Sequence, residues 1–247
     1  LGRVHSEVLV AIATDAASSL DASTDRAADD HRDSVAVSPS RGDGGSEIDR
    51  EFLVMHALRI KGFAAAELLA DISGIALTTV QQILTEMAES GWSRHIAARD
   101  LWQLSPAGRE RHGEKLHAVS GAEVDGLRQL YPRFLDLNEG FKDLCNRWQL
   151  RDGDTNDHAD PVYDSARVAE LRALHEAALA PITGFIEAVP RFESYERRLT
   201  NSLVRLEDGE LRMFTGVMCG SYHDVWMELH EDLVQLLGVD RHAEGSY

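Results

Sequence analysis

The sequence predicts a mainly α-helical protein in which three short helices and a pair of strands precede an all-helical bundle. Three observations carry this. Apolar residues recur at helical spacing in three segments that each close on a glycine, at Gly62, Gly74 and Gly91. The period then switches to alternation over 92–104. From Gly121 onward it is helical again with few interruptions.

The first ordered segment, "IDREFLVMHALRIKG", places Leu53, Ala57 and Ile60 on one face, with Gly62 where a left-handed residue ends a helix. "FAAAELLADISG" gives a second helix with Leu68, Leu69 and Ile72 inward. "TTVQQILTEMAESG" gives a third, with Val80, Ile83, Leu84 and Met87 as its buried stripe. "WSRHI" and "LWQLS" alternate as strands around the turn "AARD". Ser105 and Pro106 then supply an N-cap and a first helical residue for a helix that leads into the second half.

In that half, Leu127, Leu130, Tyr131, Phe134, Phe141, Cys145 and Trp148 follow a heptad-like stripe, and Pro132 is expected to break it and start a new helix. After a loop, "RDGDTNDHADPV", a helical face is formed by Val168, Leu171, His175, Ala178, Leu179 and Ile182. Pro190 is placed to start a further helix. Ser221 caps a last one that stops at Gly238. The expected bundle has four or five helices.

Domain boundaries follow from these patterns. Residues 1–47 are expected to form a disordered or weakly helical tail: 4–20 could make a short helix with Val8, Leu9, Ile12 and Ala16 on one face, and "DASTDRAADDHRDSVAVSPSRGDGGSE" holds few large apolar groups to offset ordering entropy. Residues 48–118 form the three-helix and strand-pair domain, and 119–247 the helical domain.

The 247 residues hold 42 acidic and 25 basic side chains, a formal net charge of −17 that excludes a protein coating nucleic acid through excess Lys and Arg. The charge is uneven, however. Residues 48–118 carry 8 basic and 9 acidic groups, against 4 and 9 before them and 13 and 24 after. Any nucleic-acid contact therefore belongs to the middle segment. Cys145 and Cys219 match neither a zinc spacing nor a disulfide framework, no export signal opens the sequence, and no apolar run is long enough to span a membrane. A cytoplasmic location without membrane association is expected.

The segments "AAELLADISGIALTTVQQILTEMAESGW" and "SRHIAARDLWQLSPAGRER" resemble the winged helix-turn-helix of MarR-like bacterial transcriptional regulators, with "LSPAGRE" similar to the closing phrase of such wings. The resemblance covers 48 to about 118 and implies a dimer that places its third helix in the major groove of double-stranded DNA and its wing beside it. Carried onto this chain, the reading residues are Thr78, Thr79, Gln81, Gln82 and Thr85 on the helix, with Arg94, His95 and Arg99 in or beside the wing. The match departs from its pattern in two places. Ala76 stands where a capping Ser or Thr is usual, and the helix offers Glu86 and Glu89 but no Lys or Arg. "MHALRIKGFAAAELLADISG" has a fainter resemblance to helical modules of phosphoenolpyruvate-utilising proteins, which implies docking or regulation instead of DNA binding.

In the helical domain, Arg191 and Arg198 are candidates to hold an anionic small-molecule effector, with Tyr195, Tyr222 and Trp226 as pocket walls; plain packing and a dimer interface are the competing readings. His223 and His230, seven apart, are weak metal candidates, and His175 is a third ligand to consider. The loop at Asp152, Asp154 and Asn156 starts like a calcium loop but has Asp157 where the glycine belongs and Tyr163 where the bidentate Glu belongs, so an acidic surface loop is expected. No nucleophile motif or phosphate-cradling glycine loop occurs, and no cofactor is called for. A regulator is the expected class. A non-enzymatic helical adaptor is the alternative, followed by a metal- or small-molecule-dependent enzyme.

Overall fold

The computed structural model describes residues 49–116 and 121–239; the expectations for 1–47 lie outside them. The described residues are mainly helical, with eight α-helices and two small antiparallel sheets.

The first core is built from α1 (Arg50–Lys61), α2 (Ala66–Ser73) and α3 (Leu77–Glu89). Asp49 caps α1 by accepting from the Phe52 N–H at 2.9 Å. Gly62 and Gly74, at φ 76° and 69°, end the first two helices in the conformation only glycine adopts cheaply. Leu69, Ile72, Val80, Ile83, Leu84 and Met87 are buried as their spacing requires. On α1 the buried run is Val54–Leu58, while Leu53 and Ile60 are half-buried, so the inward face is rotated from the expected one and brings His56 inside.

The strand pair is β2 (Ser93–Ile96) and β3 (Leu101–Leu104), joined through a 3-10 turn at Ala97–Arg99 that Asp100 closes at φ 50°. A third strand corrects the expectation. Phe63–Ala64 leaves the second helical segment to form β1, and pairs with β3 in the order β1-β3-β2. Gly62 turns the chain sharply enough for two residues to lie extended before α2 begins at Ala66.

Helix α4 (Pro106–Leu116) starts on Ser105, whose hydroxyl accepts from the Gly108 N–H at 3.0 Å and donates to the Gly91 carbonyl at 2.6 Å. A Cβ at Gly108 would lie 2.0 Å from the Trp92 carbonyl oxygen, so the helix fits against the chain entering β2 only because this residue has none.

The second core belongs to α5 (Gly121–Gln149), α6 (Pro161–Ala188), α7 (Glu193–Glu207) and α8 (Tyr222–Leu237). The expected break at Pro132 does not occur: α5 runs through it for 29 residues, with Pro132 exposed. The ring removes one N–H, but its would-be acceptor is on exposed Arg128, whose carbonyl water can satisfy. Pro190 starts a 3-10 turn, Pro190–Phe192, ahead of α7. Ser221 accepts from the Asp224 N–H as the cap of α8, and Gly238 ends that helix at φ 64°.

The acidic loop between α5 and α6 is a hairpin. β4 (Leu150–Arg151) pairs with β5 (Asp154–Thr155) around Asp152 and Gly153, both at positive φ, as a two-residue turn of the primed type requires. Asn156 is buried behind it. Its amide donates to the Trp148 carbonyl on α5 and to Asp164 Oδ1 on α6, which ties the hairpin to both helices.

Candidate functional site

Two arrangements of polar residues stand out, one on the surface of the first core and one buried between the cores. On the surface, Val80, Ile83, Leu84 and Met87 turn one side of α3 inward, which leaves Thr78, Gln81, Gln82 and Thr85 exposed and Thr79 half-buried. Ala76 gives α3 no side-chain cap; its carbonyl accepts from the Thr79 N–H at 2.9 Å, and the N–H groups of Leu77 and Thr78 have no side-chain acceptor. Within this face Gln82 donates to Glu86 at 2.8 Å and Thr85 donates back to the Gln81 carbonyl. These internal bonds occupy part of the donor set that a ligand would use.

The strand pair adds charge beside α3. Arg94 is exposed and donates twice to Gln103 on β3, at 2.7 and 3.2 Å, which fixes its guanidinium across the sheet. His95 meets Asp100 at 2.8 Å and packs against Trp102. Arg99, on the turn, is exposed and has no ion-pair partner among the described residues. All eight residues expected to read DNA thus fall on α3 or the adjoining strand pair, on the surface or half-buried.

The buried arrangement joins α1 and α4 to α7, α8 and the Pro190–Phe192 turn. Asp232 is fully buried and takes three partners: Arg191 Nη2 at 2.6 Å, His56 Nε2 at 2.9 Å and the Tyr195 hydroxyl at 3.1 Å. Because His56 Nε2 donates to the carboxylate, its Nδ1 is left to accept from His112 Nε2 at 2.9 Å. Burial alone would raise the Asp232 pKa, but the Arg191 charge and the hydrogen bonds from His56 and Arg191 outweigh that penalty and hold its carboxyl well below the usual carboxylate range. Burial drives His112 the other way for its charged form, down to about 3, and the neighbouring cationic groups add to this. A second cluster lies alongside: Glu228 meets Lys61 Nζ through Oε1 and Arg198 Nη1 through Oε2, both at 2.7 Å.

The effector candidates therefore separate. Arg191, Tyr195 and Arg198 come together in this charged seam. Tyr222 and Trp226 do not wall it; both are fully buried in the aromatic core with Phe134 and Phe141. The Trp226 indole donates to Asn138 Oδ1 at 3.0 Å, and the Tyr222 hydroxyl meets His175 Nδ1 at 3.2 Å.

The metal candidates are in separate surroundings as well. His230 is buried against Tyr131 and Phe134, whereas His223 is half-buried beside Phe141. No group of three His, Cys, Asp or Glu side chains placed to hold a metal ion occurs among the described residues. No single described helix is long and apolar enough to cross a membrane.

Sequence reasoning missed the seam itself: His56, Lys61, His112, Glu228 and Asp232. A signal for one of them was present. Asp232 stands three residues after Leu229 and four before Leu236, at core-facing spacing, and an ionisable group there implies a buried partner.

Comparison of the chain with protein-family models, curated proteins and solved structures gives no match.

Proposed function

We propose that the chain is a DNA-binding transcriptional regulator of winged helix-turn-helix type that acts as a homodimer. In this reading 48–118 is the DNA-binding domain and 119–247 a helical domain for ligand sensing or dimerisation. The observation that carries it is the exposed Thr and Gln face of α3 lying beside a strand pair that presents Arg94 and Arg99. Gln amides match the donor and acceptor edge of adenine in the major groove, and threonine hydroxyls bond to phosphate or base edges. The uncapped first turn of α3 suits a phosphate oxygen. A cytoplasmic location fits this function.

With no Arg or Lys on α3, each monomer binds weakly and two half-sites add through effective concentration. The seam offers a means of control, because it ties α1 of the DNA-binding part to α8 of the helical part through His56–Asp232 and Lys61–Glu228. A ligand that favours one setting of this contact would shift the population of dimers whose two α3 helices match an operator.

The second reading, a helical adaptor that uses the same surface for protein contacts, is favoured by exposed Glu86 and Glu89 on α3. Selection from random-sequence duplexes, followed by anisotropy titrations at low and moderate salt, separates the two. The regulator enriches a two-fold symmetric site and loses affinity steeply as salt rises. Failure to enrich any sequence at low salt would leave the adaptor.

A further inference from the structure

The seam holds one guanidinium that its neighbours leave unsatisfied. Arg198 is 5% exposed, and although Nη1 lies 2.7 Å from Glu228 Oε2, neither terminal nitrogen has a hydrogen bond of proper geometry. Glu228 accepts from Lys61 through its other oxygen, and both oxygens of Asp232 are taken by Arg191, His56 and Tyr195. Three basic side chains, Lys61, Arg191 and Arg198, are thus set against two carboxylates, Glu228 and Asp232, in a chain whose net charge is −17. Burying a guanidinium is unfavourable unless its donors are met, and a planar fork of N–H groups without acceptors fits an oxyanion.

We propose that Arg198 anchors a site for a small oxyanion, a carboxylate or a phosphate, reached from the Lys61 side of the seam. Lys61 is the most exposed of the five charged side chains involved, at 13%, against 9% for Arg191 and 8% for Glu228. An anion arriving there meets the Lys61 ammonium first and then Arg198, whose Nη1 is ion-paired with Glu228 and whose Nη2 has no partner. It competes with Glu228 for both cations, and so loosens the contact that joins α1 to α8. Its role as an effector rests on the regulator reading, whereas binding itself does not.

Thermal melting of the full chain at fixed ionic strength tests this, with inorganic phosphate and succinate as separate probes against sodium chloride. One or both should raise the melting temperature saturably at millimolar concentration, and the responding probe tells phosphate from carboxylate. Arg198→Gln should abolish the response while Arg128→Gln, on the exposed side of α5, keeps it. If Arg198→Gln does not fold, Lys61→Gln replaces it and should weaken the apparent affinity several-fold. No saturable rise with either anion, or a rise that survives both substitutions, overturns the site. Anion binding without DNA binding would reject the regulator and leave the site standing.

Discussion

His56 on the first helix and Asp232 on the last meet 2.9 Å apart with almost no exposure to solvent, and the contact spans the two apolar cores. Of their partners, Tyr195 and His112 are buried with them and Arg191 is half-buried. Removing the carboxylate alone strands a guanidinium and an imidazole inside the protein. Asp232→Ala should therefore cost about 3–5 kcal/mol, as expected when one partner of a buried ion pair is deleted. Urea denaturation measures it, and a loss under 1 kcal/mol, on the order of a surface pair, would show that the seam contributes little.

The same seam sets a pH dependence. Burial keeps His112 neutral in the folded chain down to about pH 3, whereas the unfolded chain takes up that proton near the ordinary imidazole value of 6.5. Burial also lowers His175 and His223. A group with a lowered folded pKa contributes stability above its unfolded pKa and loses it as pH falls toward the folded one. The urea midpoint should hold above about pH 7 and decline from there through pH 5. Asp232 adds a further loss in the acid range below the ordinary carboxylate value. His112→Gln should flatten part of the first decline; an unchanged slope would place the linkage in the other histidines.

Glycines on α4 give a paired test of packing. A Cβ at Gly108 meets the Trp92 carbonyl at 2.0 Å, while one at Gly113 meets nothing within 4 Å. Gly108→Ala forces α4 away from β2 and should destabilise by about 1–3 kcal/mol. Gly113→Ala in the same helix should stabilise by roughly 0.5–1 kcal/mol, because alanine loses less backbone entropy. Chemical denaturation of both variants decides whether the glycine in "LSPAGRE" is there for close approach.

What was legible in the sequence were the features that depend on local chemistry. The glycine stops at 62, 74 and 238, the Ser221 cap and the buried stripe of α3 follow from neighbours within one helical turn. Contacts between distant segments were not legible. β1 exists only because Phe63 and Ala64 find Gln103 and Trp102 almost forty positions later. Pro132 is tolerated because its side of α5 faces water, which depends on how α5 packs. The hairpin at Asp152–Gly153 was a missed local signal, since an Asp-Gly pair at positive φ is a known turn chemistry. The exposed residues of α3 follow from its buried stripe, but the seam was not legible, because its polar groups come from five separate elements.

Arg99 and Gln81 should behave differently if α3 and its hairpin read DNA. Arg99 lies on the turn without an ion-pair partner among the described residues, so it is available to phosphate. Arg99→Ala should weaken binding to all duplexes alike and reduce the salt slope by about one. Arg94 is engaged with Gln103, and its replacement should have a smaller effect. Gln81→Ala should instead change preference among sequences at one position of the half-site, by about 1–3 kcal/mol. Equal effects from both would deny a division between positioning and base reading.

Glu86 and Glu89 distinguish the two readings of this surface most directly. Both are exposed on the second half of α3, and Glu86 also holds the Gln82 amide at 2.8 Å. Against DNA, each carboxylate faces phosphate and opposes binding. Glu86→Gln with Glu89→Gln removes both charges at little cost to the helix, since Gln and Glu have similar helix propensity. A charge interaction of about 1 kcal/mol near the surface corresponds to roughly fivefold in affinity for each group. The double variant should thus bind duplex DNA about 25-fold more tightly at low salt, an advantage that fades as salt rises. For an adaptor that docks a basic partner through this face, the same substitutions weaken the complex and leave DNA binding absent. Anisotropy with a labelled duplex, measured on wild type and double variant together, shows tighter binding by the variant for a regulator and no binding by either protein for an adaptor.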